Sequence, residues 1–382
     1  MRVLIVVTHL LGTGHLSRAL VLAKAFRANG HYAHIASGGV PVPNLSAEGV
    51  ILLQLPPVKS DGINFTTLLT DDGKPADQAF LDRRKAKLLS TLKDVSPDVL
   101  ITELYPFGRR VLKGEFLALL NAARDMQRQP KVFASIRDIL APPSKPQKVL
   151  ETEAVLAAYY TGVLVHSDPS TTPLETSWPV TDALKDRLLY TGYVAPPPPD
   201  DHPENTGRNE VLVTAGGGDV GMKLFAAAVR AAHQSADLQW RILVGGSDKE
   251  SNIARLKTLA QSDNIIIEST RSDFRQMMTG AHAIVCMCGY NTAMDVLQIG
   301  VPAVFIPFAE GGETEQTLRA QSLSSKPGFS MVDMSELSAE KLVSAVTLVS
   351  KKRPTASDPK QFQGANQAVS IVETHYAAEF HG

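Results

Sequence analysis

The sequence predicts an α/β protein made of two doubly wound, parallel-sheet domains. Three observations carry that expectation. Short apolar runs of Val, Ile and Leu alternate with helical segments along the chain, the pattern of strands covered on both faces. At 382 residues the chain exceeds one ordinary core. A proline-rich stretch, Ala195–Pro203 (APPPPDDHP), then divides it near the middle, with a composition that no helix or sheet interior tolerates. The expected organisation is a domain over 1–194, a linker over 195–208 and a second domain over 209–360. A terminal helix over 361–382 is expected to pack back on the first domain.

The elements follow in order. Arg2–Thr8 reads as a first strand, His9–His15 (HLLGTGH) as its loop, and Leu16–Ala28 as a helix ended by Asn29-Gly30. Tyr32–Ala36 and Val50–Leu55 are strands, Ala76–Leu92 a helix, and Val99–Thr102 a strand closed by Glu103. Val132–Ser135 and Val163–Val165 repeat the pattern and run on to Arg137 and His166. Past the prolines, Val211–Thr214 is a strand, followed by Ala215-Gly216-Gly217-Gly218-Asp219 and a helix over Met222–His233. Trp240–Val244, Ile265–Glu268 and Ala283–Cys286 are further strands. Gly289 turns the chain into a helix that Gly300 stops, and Val301–Phe308 is again apolar. Val346–Gln361 is polar and broken by Pro354 and Pro359, and Phe362–Phe380 reads as the final helix.

Bulk properties exclude several classes. A formal net charge of -1 argues against nucleic-acid binding, which needs a basic excess or stripe. No apolar run reaches the ~20 residues of a membrane span. Val3–Val7 is cut short by His9 and Gly12, giving a strand and loop instead of a signal peptide. Cys286 and Cys288, the two cysteines, stand too close to bridge and lack a nearby second pair for metal. Reduced thiols and a cytoplasmic protein are expected, with peripheral membrane contact left open.

Parallel sheets bind ligands at the carboxyl ends of their strands, which selects the loops to inspect. Gly12-Thr13-Gly14-His15 departs from a dinucleotide fingerprint: Ser17 occupies the third glycine position, and the second strand ends in Ser37-Gly38-Gly39 without an acid. Two glycines and a following helix N-terminus still favour an anion there. His15 begins that helix, where the dipole disfavours an imidazolium and suits a neutral base; His9 is a weaker competitor, and packing alone is the bland reading. Gly216, Gly217 and Gly218 can wrap a phosphate with their amides, but no Gly-Lys-Ser/Thr makes them a P-loop. In Cys286–Gln316, polar groups gather on two loops: Asn291, Thr292 and Asp295 on one, Glu310, Glu313, Glu315 and Gln316 on the other. Tyr105–Arg124, with Arg109, Arg110 and Lys113, reads either as an acceptor- or membrane-facing surface or as an ordinary solvated helix edge.

The stretch VCMCGYNTAMDVLQIGVPAVFIPF, continued by Glu315-Gln316, resembles the donor-binding signature of the GT-B glycosyltransferases. It is similar to family 28, which includes the enzymes that add N-acetylglucosamine to form lipid II, and to predicted bacterial glycosyltransferases with G-x-G-H-x-x-R, C-G-Y-N-T and E-Q. The resemblance implies a GT-B fold, two Rossmann-like domains facing across a cleft, with a nucleoside-diphosphate sugar on the second. It implies that Asp295 holds the ribose hydroxyls and that Gln316, beside Glu315, contacts the sugar. Gly217, Gly218, Asn291 and Thr292 would surround the diphosphate, with Gly14, Gly216, Gly289 and Tyr290 also in the donor site, and the backbone at Thr270 and Arg271 would read the base. The sequence departs from the family at Glu315, where the family has His, and at Tyr193-Val194-Ala195-Pro196, where it has Asn-Pro-Val-Arg. Uridine is favoured, with guanosine and thymidine carriers open.

The expected chemistry is inverting transfer to a carbohydrate, lipid-linked or small-molecule hydroxyl. His15 would be the base, Arg18 or Arg137 would steady the diphosphate, and Glu103, Arg109 and Arg137 would line the acceptor side. No cofactor is expected, and the absence of Asp-x-Asp points to a metal-free mechanism. Two alternatives stand beside it. One is a sugar-nucleotide hydrolase in which His15 activates water, as in the pseudaminic acid pathway enzyme whose G-x-G-H-x-x-R is matched by Gly12, Gly14, His15 and Arg18. The other is a non-catalytic nucleotide-sugar binder.

Overall fold

The computed structural model of the chain describes residues 1–10, 12–42, 45–60, 67–216, 221–246, 248–309 and 314–378. The chain divides into two compact units, Met1–Pro196 with Lys360–Gly382, and Pro197–Pro359.

The first unit contains β1 (Arg2–Val7), α1 (Gly14–Ala28), β2 (Tyr32–Ser37), β3 (Ile51–Gln54) and a short hairpin, β4 (Val58–Lys59) with β5 (Leu69–Thr70). Then come α2 (Gln78–Val95), β6 (Val99–Glu103), α3 (Lys113–Arg124), β7 (Lys131–Arg137), α4 (Gln147–Tyr159), β8 (Gly162–His166), α5 (Asp182–Lys185) and β9 (Leu188–Tyr190). Seven strands pair in parallel in the order β3-β2-β1-β6-β7-β8-β9. Strand order reverses between β1 and β6, so the ligand crevice of this sheet lies at their carboxyl ends. Alternate residues face opposite layers: Leu100, Ala134 and Val163 join one core, Ile101, Phe133 and Leu164 the other, beneath α1.

The second unit contains β10 (Glu210–Thr214), α6 (Met222–His233), β11 (Gln239–Val244), α7 (Lys249–Leu259), β12 (Ile265–Ser269), α8 (Phe274–Thr279) and β13 (Ala283–Cys286). It continues with α9 (Tyr290–Ile299), β14 (Ala303–Phe305), α10 (Glu315–Ser324), β15 (Phe329–Met331) and α11 (Ala339–Ser350). Its parallel sheet runs β12-β11-β10-β13-β14-β15, and the reversal falls between β10 and β13. The chain then returns to the first unit as α12 (Gly364–Ala377), whose Ala365, Ala368, Val369 and Val372 share a core with Leu16, Leu20 and Ala23 of α1. Entry is tight. A Cβ at Gly364 would meet the Gly192 carbonyl oxygen at 2.4 Å, so only glycine fits.

Three segments differ from the sequence expectation. Val346–Ser350 completes α11, because Pro354 and Pro359 follow the helix end instead of interrupting it. Of Val301–Phe308, Ala303–Phe305 makes the ladder. The later part of the 195–208 stretch is packed structure: His202 is buried, with Nε2 3.1 Å from Asp273 Oδ2 and Nδ1 accepting the Glu204 and Thr206 amides. Among the described residues no helix is long and apolar enough to cross a membrane.

One buried ion pair fastens the edge where the first site is built. Arg84 of α2 is wholly buried; it donates to Glu115 from Nε at 2.7 Å, to Thr8 Oγ1 at 2.8 Å, and to the carbonyls of Gly38 and Pro56 at 2.7 and 2.6 Å. It thereby ties together the ends of β1 and β2. Arg84→Ala would leave Glu115 buried without its cation, and urea unfolding should show a loss of about 3–5 kcal/mol.

Candidate active site

The crevice of the first sheet gathers ionisable groups. Gly12 takes a φ of +65°, which turns the loop after β1 into α1. Thr13, the N-cap residue, makes no side-chain cap, and the first turn holds no acid, so the amides there suit an anion. His15 is buried, with Nδ1 2.9 Å from Glu103 Oε1 at the end of β6. Arg18 Nη2 donates to the same oxygen, and Ser135 Oγ lies 2.5 Å from Oε2. Burial alone would raise the Glu103 pKa; the Arg18 charge and the His15 and Ser135 hydrogen bonds outweigh it and hold the carboxyl well below its usual range.

That settles the tautomer of His15. An ionised carboxylate only accepts, so Nδ1 carries the proton and Nε2 keeps its lone pair. The 3.2 Å approach of Arg18 Nη2 to Nδ1 is then two donors converging on one oxygen. Burial, helped by the charges of Arg109 and Arg137 and opposed by Glu103, lowers the imidazole to about 3. Arg109, in a left-handed conformation with φ 58°, donates from Nε to the Thr8 carbonyl at 2.6 Å, and burial lowers it to about 10. His9 is committed elsewhere: Nε2 contacts the Val40 carbonyl at 2.9 Å, and a Cβ on Gly39 would strike its ring.

Glu103, expected on the acceptor side, thus has both oxygens engaged and serves His15. Arg18, expected at the diphosphate, serves Glu103. Ser135, which sequence reading did not single out, bonds Glu103 and contacts His166 Nε2 at 3.0 Å. Its signal lay in register, because Ser135 stands opposite Glu103 on the neighbouring strand. The Tyr105–Arg124 surface is less basic than its composition implies. Arg109 turns inward and Arg110 lies over the Trp178 ring, leaving Lys113 exposed beside Val111.

The second sheet presents its own crevice. Gly216 follows β10 with φ +79° and open space where a Cβ would be; Gly217, Gly218 and Asp219 lie outside the described residues, as do Glu310 and Glu313. After β13, Gly289 is also open on its Cβ side and starts α9 without a side-chain cap. Asn291 is exposed and Thr292 half-buried on the first turn, while Tyr290 is buried with the Arg319 guanidinium 5.8 Å from its ring centre. Asp295, one turn further, is 9% exposed; its Oδ1 accepts from Arg275 Nε at 2.7 Å, and Arg275 also donates to Gln298 and the Pro197 carbonyl. Burial raises Asp295 to about 6 despite that cation. Arg275 had no signal in the sequence.

Gln316 accepts the Phe308 amide at 3.1 Å through Oε1, which points its amide nitrogen away from that bond; Glu315 is buried at the start of α10. Thr270 follows β12, and the Arg271 side chain is taken up by Asp273 at 2.6 and 2.9 Å, so backbone is what this loop offers a base. Cys286 and Cys288 are free and buried at the end of β13, with burial pushing the Cys286 thiol well up.

The profile of the glycosyltransferase family 28 C-terminal domain matches residues 211–374. The UDP-N-acetylglucosamine--N-acetylmuramyl-(pentapeptide) pyrophosphoryl-undecaprenol N-acetylglucosamine transferase of Shewanella violacea is 24% identical over 148 residues, 38% of this chain and 40% of that protein. Such curated relatives are matched over about a fifth to just over half of their own length. Among solved structures, MurG of Acinetobacter baumannii superposes with a TM-score of 0.61 at 16% identity, covering 98% of this chain and 100% of that one. The spinosyn forosaminyltransferase SpnP gives 0.63 at 17% identity, with 99% of both chains covered. The chain therefore has the fold of GT-B glycosyltransferases, is similar over residues 211–374 to the family 28 C-terminal domain, and is similar to the N-acetylglucosamine transferases just named.

Proposed function

We propose that this chain is an inverting glycosyltransferase whose second unit holds a nucleoside-diphosphate sugar, uridine-linked by preference, and whose His15 deprotonates the acceptor hydroxyl. The observation that carries the reading is the His15–Glu103 pair. Its geometry leaves Nε2 as a bare acceptor on a ring whose other nitrogen is anchored, the arrangement a general base needs. As the proton arrives, Glu103 stabilises the imidazolium. Burial, helped by Arg109 and Arg137, keeps the resting ring neutral, and negative charge on a bound substrate would offset the two cations and strengthen the base.

Donor binding rests on the second sheet. The uncapped start of α9, with Asn291 and Thr292, would hold the diphosphate; Asp295 the ribose hydroxyls; Gln316 the sugar; and the backbone of Thr270 and Arg271 the base. Helix dipoles and amides take the place of a metal. The names of the curated relatives specify UDP-N-acetylglucosamine and an undecaprenol-linked acceptor, which supports a uridine donor and a lipid-linked or other carbohydrate acceptor. A peripheral position at the inner face of the membrane is supported by exposed Val111 and Leu150, 38% and 59% accessible, next to Lys113 and Lys145.

A buried carboxylate raised to about 6 costs the fold something. Its folded pKa exceeds the unfolded value of about 3.9, so its favourable contribution is complete below that value and lost as pH rises through about 6. At pH 8 the ionised Asp295 therefore costs about 2–3 kcal/mol relative to acid conditions. Asp295→Asn should melt higher than the parent at pH 8, with the gap about halved at pH 5 and closing only below about pH 4, and should bind nucleoside diphosphate more weakly. An unchanged affinity in calorimetry would remove Asp295 from the site.

A thermal-shift panel of uridine, guanosine and thymidine diphosphates and their sugars tests the donor site, with the uridine series giving the largest rise. No shift with any of them sinks the reading. His15→Ala should lower kcat by about a hundredfold or more. Because His15 stays near 3, it should contribute no acid limb to kcat/KM between pH 5 and 8. A chelator should leave the rate unchanged. Free sugar formed without any acceptor, and lost in His15→Ala, would instead establish the hydrolase.

A further inference from the structure

The hydrogen bonds around Glu103 continue through the sheet. Ile101, Phe133 and Leu164 point to the layer shared with α1, and the residues two further along each strand are Glu103, Ser135 and His166. The apolar row thus gives way to a polar row at the carboxyl edge. Ser135 Oγ lies 2.5 Å from Glu103 Oε2 and 3.0 Å from His166 Nε2, and His166 Nδ1 lies 2.9 Å from Thr191 Oγ1, just after β9. All are buried, His166 completely.

We propose that Ser135, His166 and Thr191 are positioning residues for His15, a buried hydrogen-bond row that fixes the Glu103 carboxylate and through it the Nδ1–H tautomer. The proposal rests on the reading of His15 as the base. The ionised carboxylate sets the polarity of the row. Ser135 donates to Glu103, so its oxygen accepts from His166 Nε2–H, and His166 Nδ1 accepts from the Thr191 hydroxyl. The Ser135 and His166 protons each have one place, while the Thr191 hydroxyl is shared between His166 Nδ1 and the carbonyls of Gly192 at 2.7 Å and Val165 at 3.3 Å. The charged groups acting on His15 come from every neighbouring element: Arg18 from α1, Glu103 from β6, Arg109 from the following loop and Arg137 from β7. His166 stays neutral, because burial and the Arg18 charge lower it to about 3. The row therefore orients without adding charge.

The test uses the full chain labelled with nitrogen-15 on histidine. Two-bond proton–nitrogen correlations should show His15 protonated on Nδ1. Ser135→Ala and His166→Leu should mix the tautomers and lower kcat about tenfold or more, with KM for donor and acceptor unchanged. His166→Gln keeps an N–H where Nε2 stood and should restore the parental tautomer and most of kcat. It also covers the case in which His166→Leu fails to fold. A parental His15 protonated on Nε2, or a Ser135→Ala chain with unchanged tautomer and kcat, overturns the row whether or not transfer occurs. A parental chain without turnover on any nucleotide sugar, in which Ser135→Ala still mixes the tautomers, supports the row while removing the transferase reading.

Discussion

The first unit is organised around one buried anion. Glu103 stands at the reversal of strand order, 2% exposed, where an isolated carboxylate would protonate. It stays ionised because three donors from two elements reach it: Arg18 and His15 on the first turns of α1, and Ser135 on β7. Those donors arrive together only if α1 begins where Gly12 turns it and β7 keeps its register with β6. The electrostatic requirement of one side chain thus fixes the helix start, the strand register and the histidine tautomer. The Arg84–Glu115 pair performs a similar service one layer away, holding the ends of β1 and β2.

Asp295 in the second unit is the opposite case. It too is buried, yet among the described residues its ionic partner is Arg275 alone, itself divided among three acceptors, and its pKa rises where that of Glu103 falls. A carboxylate with both oxygens engaged by three donors is an internal fitting that orients its neighbours. One left short of donors has acceptor capacity to offer hydroxyl groups. The contrast supports the different roles proposed for the two acids better than position in the sheet does.

Much of the fold was legible, because the signals were local. The apolar runs that became β1, β6, β8, β10 and β13 are buried on both faces and need no alternation to be recognised. His15 and Glu103 were both found as residues at strand ends, but their pairing was not, because 88 positions separate them and the bond exists only once β1 and β6 are neighbours. Arg18 and Glu103 were given roles toward substrate that the structure directs inward. Nothing in a single sequence states how many donors a buried acid will receive. Ser135 and Arg275 went unnoticed for the same reason, being ordinary residues made important by register and by helix placement. Val346–Ser350 is helix although the sequence there suggests a polar connection, because Pro354 and Pro359 lie beyond the helix end and leave its hydrogen bonds intact.

The low proton affinity of His15 is also informative. Glu103 works to raise it, and burial together with Arg109 and Arg137 overrules that effect. Burial is the larger part of the lowering, and two guanidinium groups besides that of Arg18 add to it at this edge. Arg109 adopts a left-handed backbone conformation, uncommon for a residue with a side chain, with its guanidinium anchored to Thr8. On the transferase reading this makes sense as gating by charge. The ring is a poor base until an anionic substrate offsets the guanidinium groups, so water that enters the free protein meets an idle histidine. A sugar-nucleotide hydrolase would bind the same kind of anionic donor, so the cations around His15 serve either reading, and the acceptor requirement of the product is what separates them.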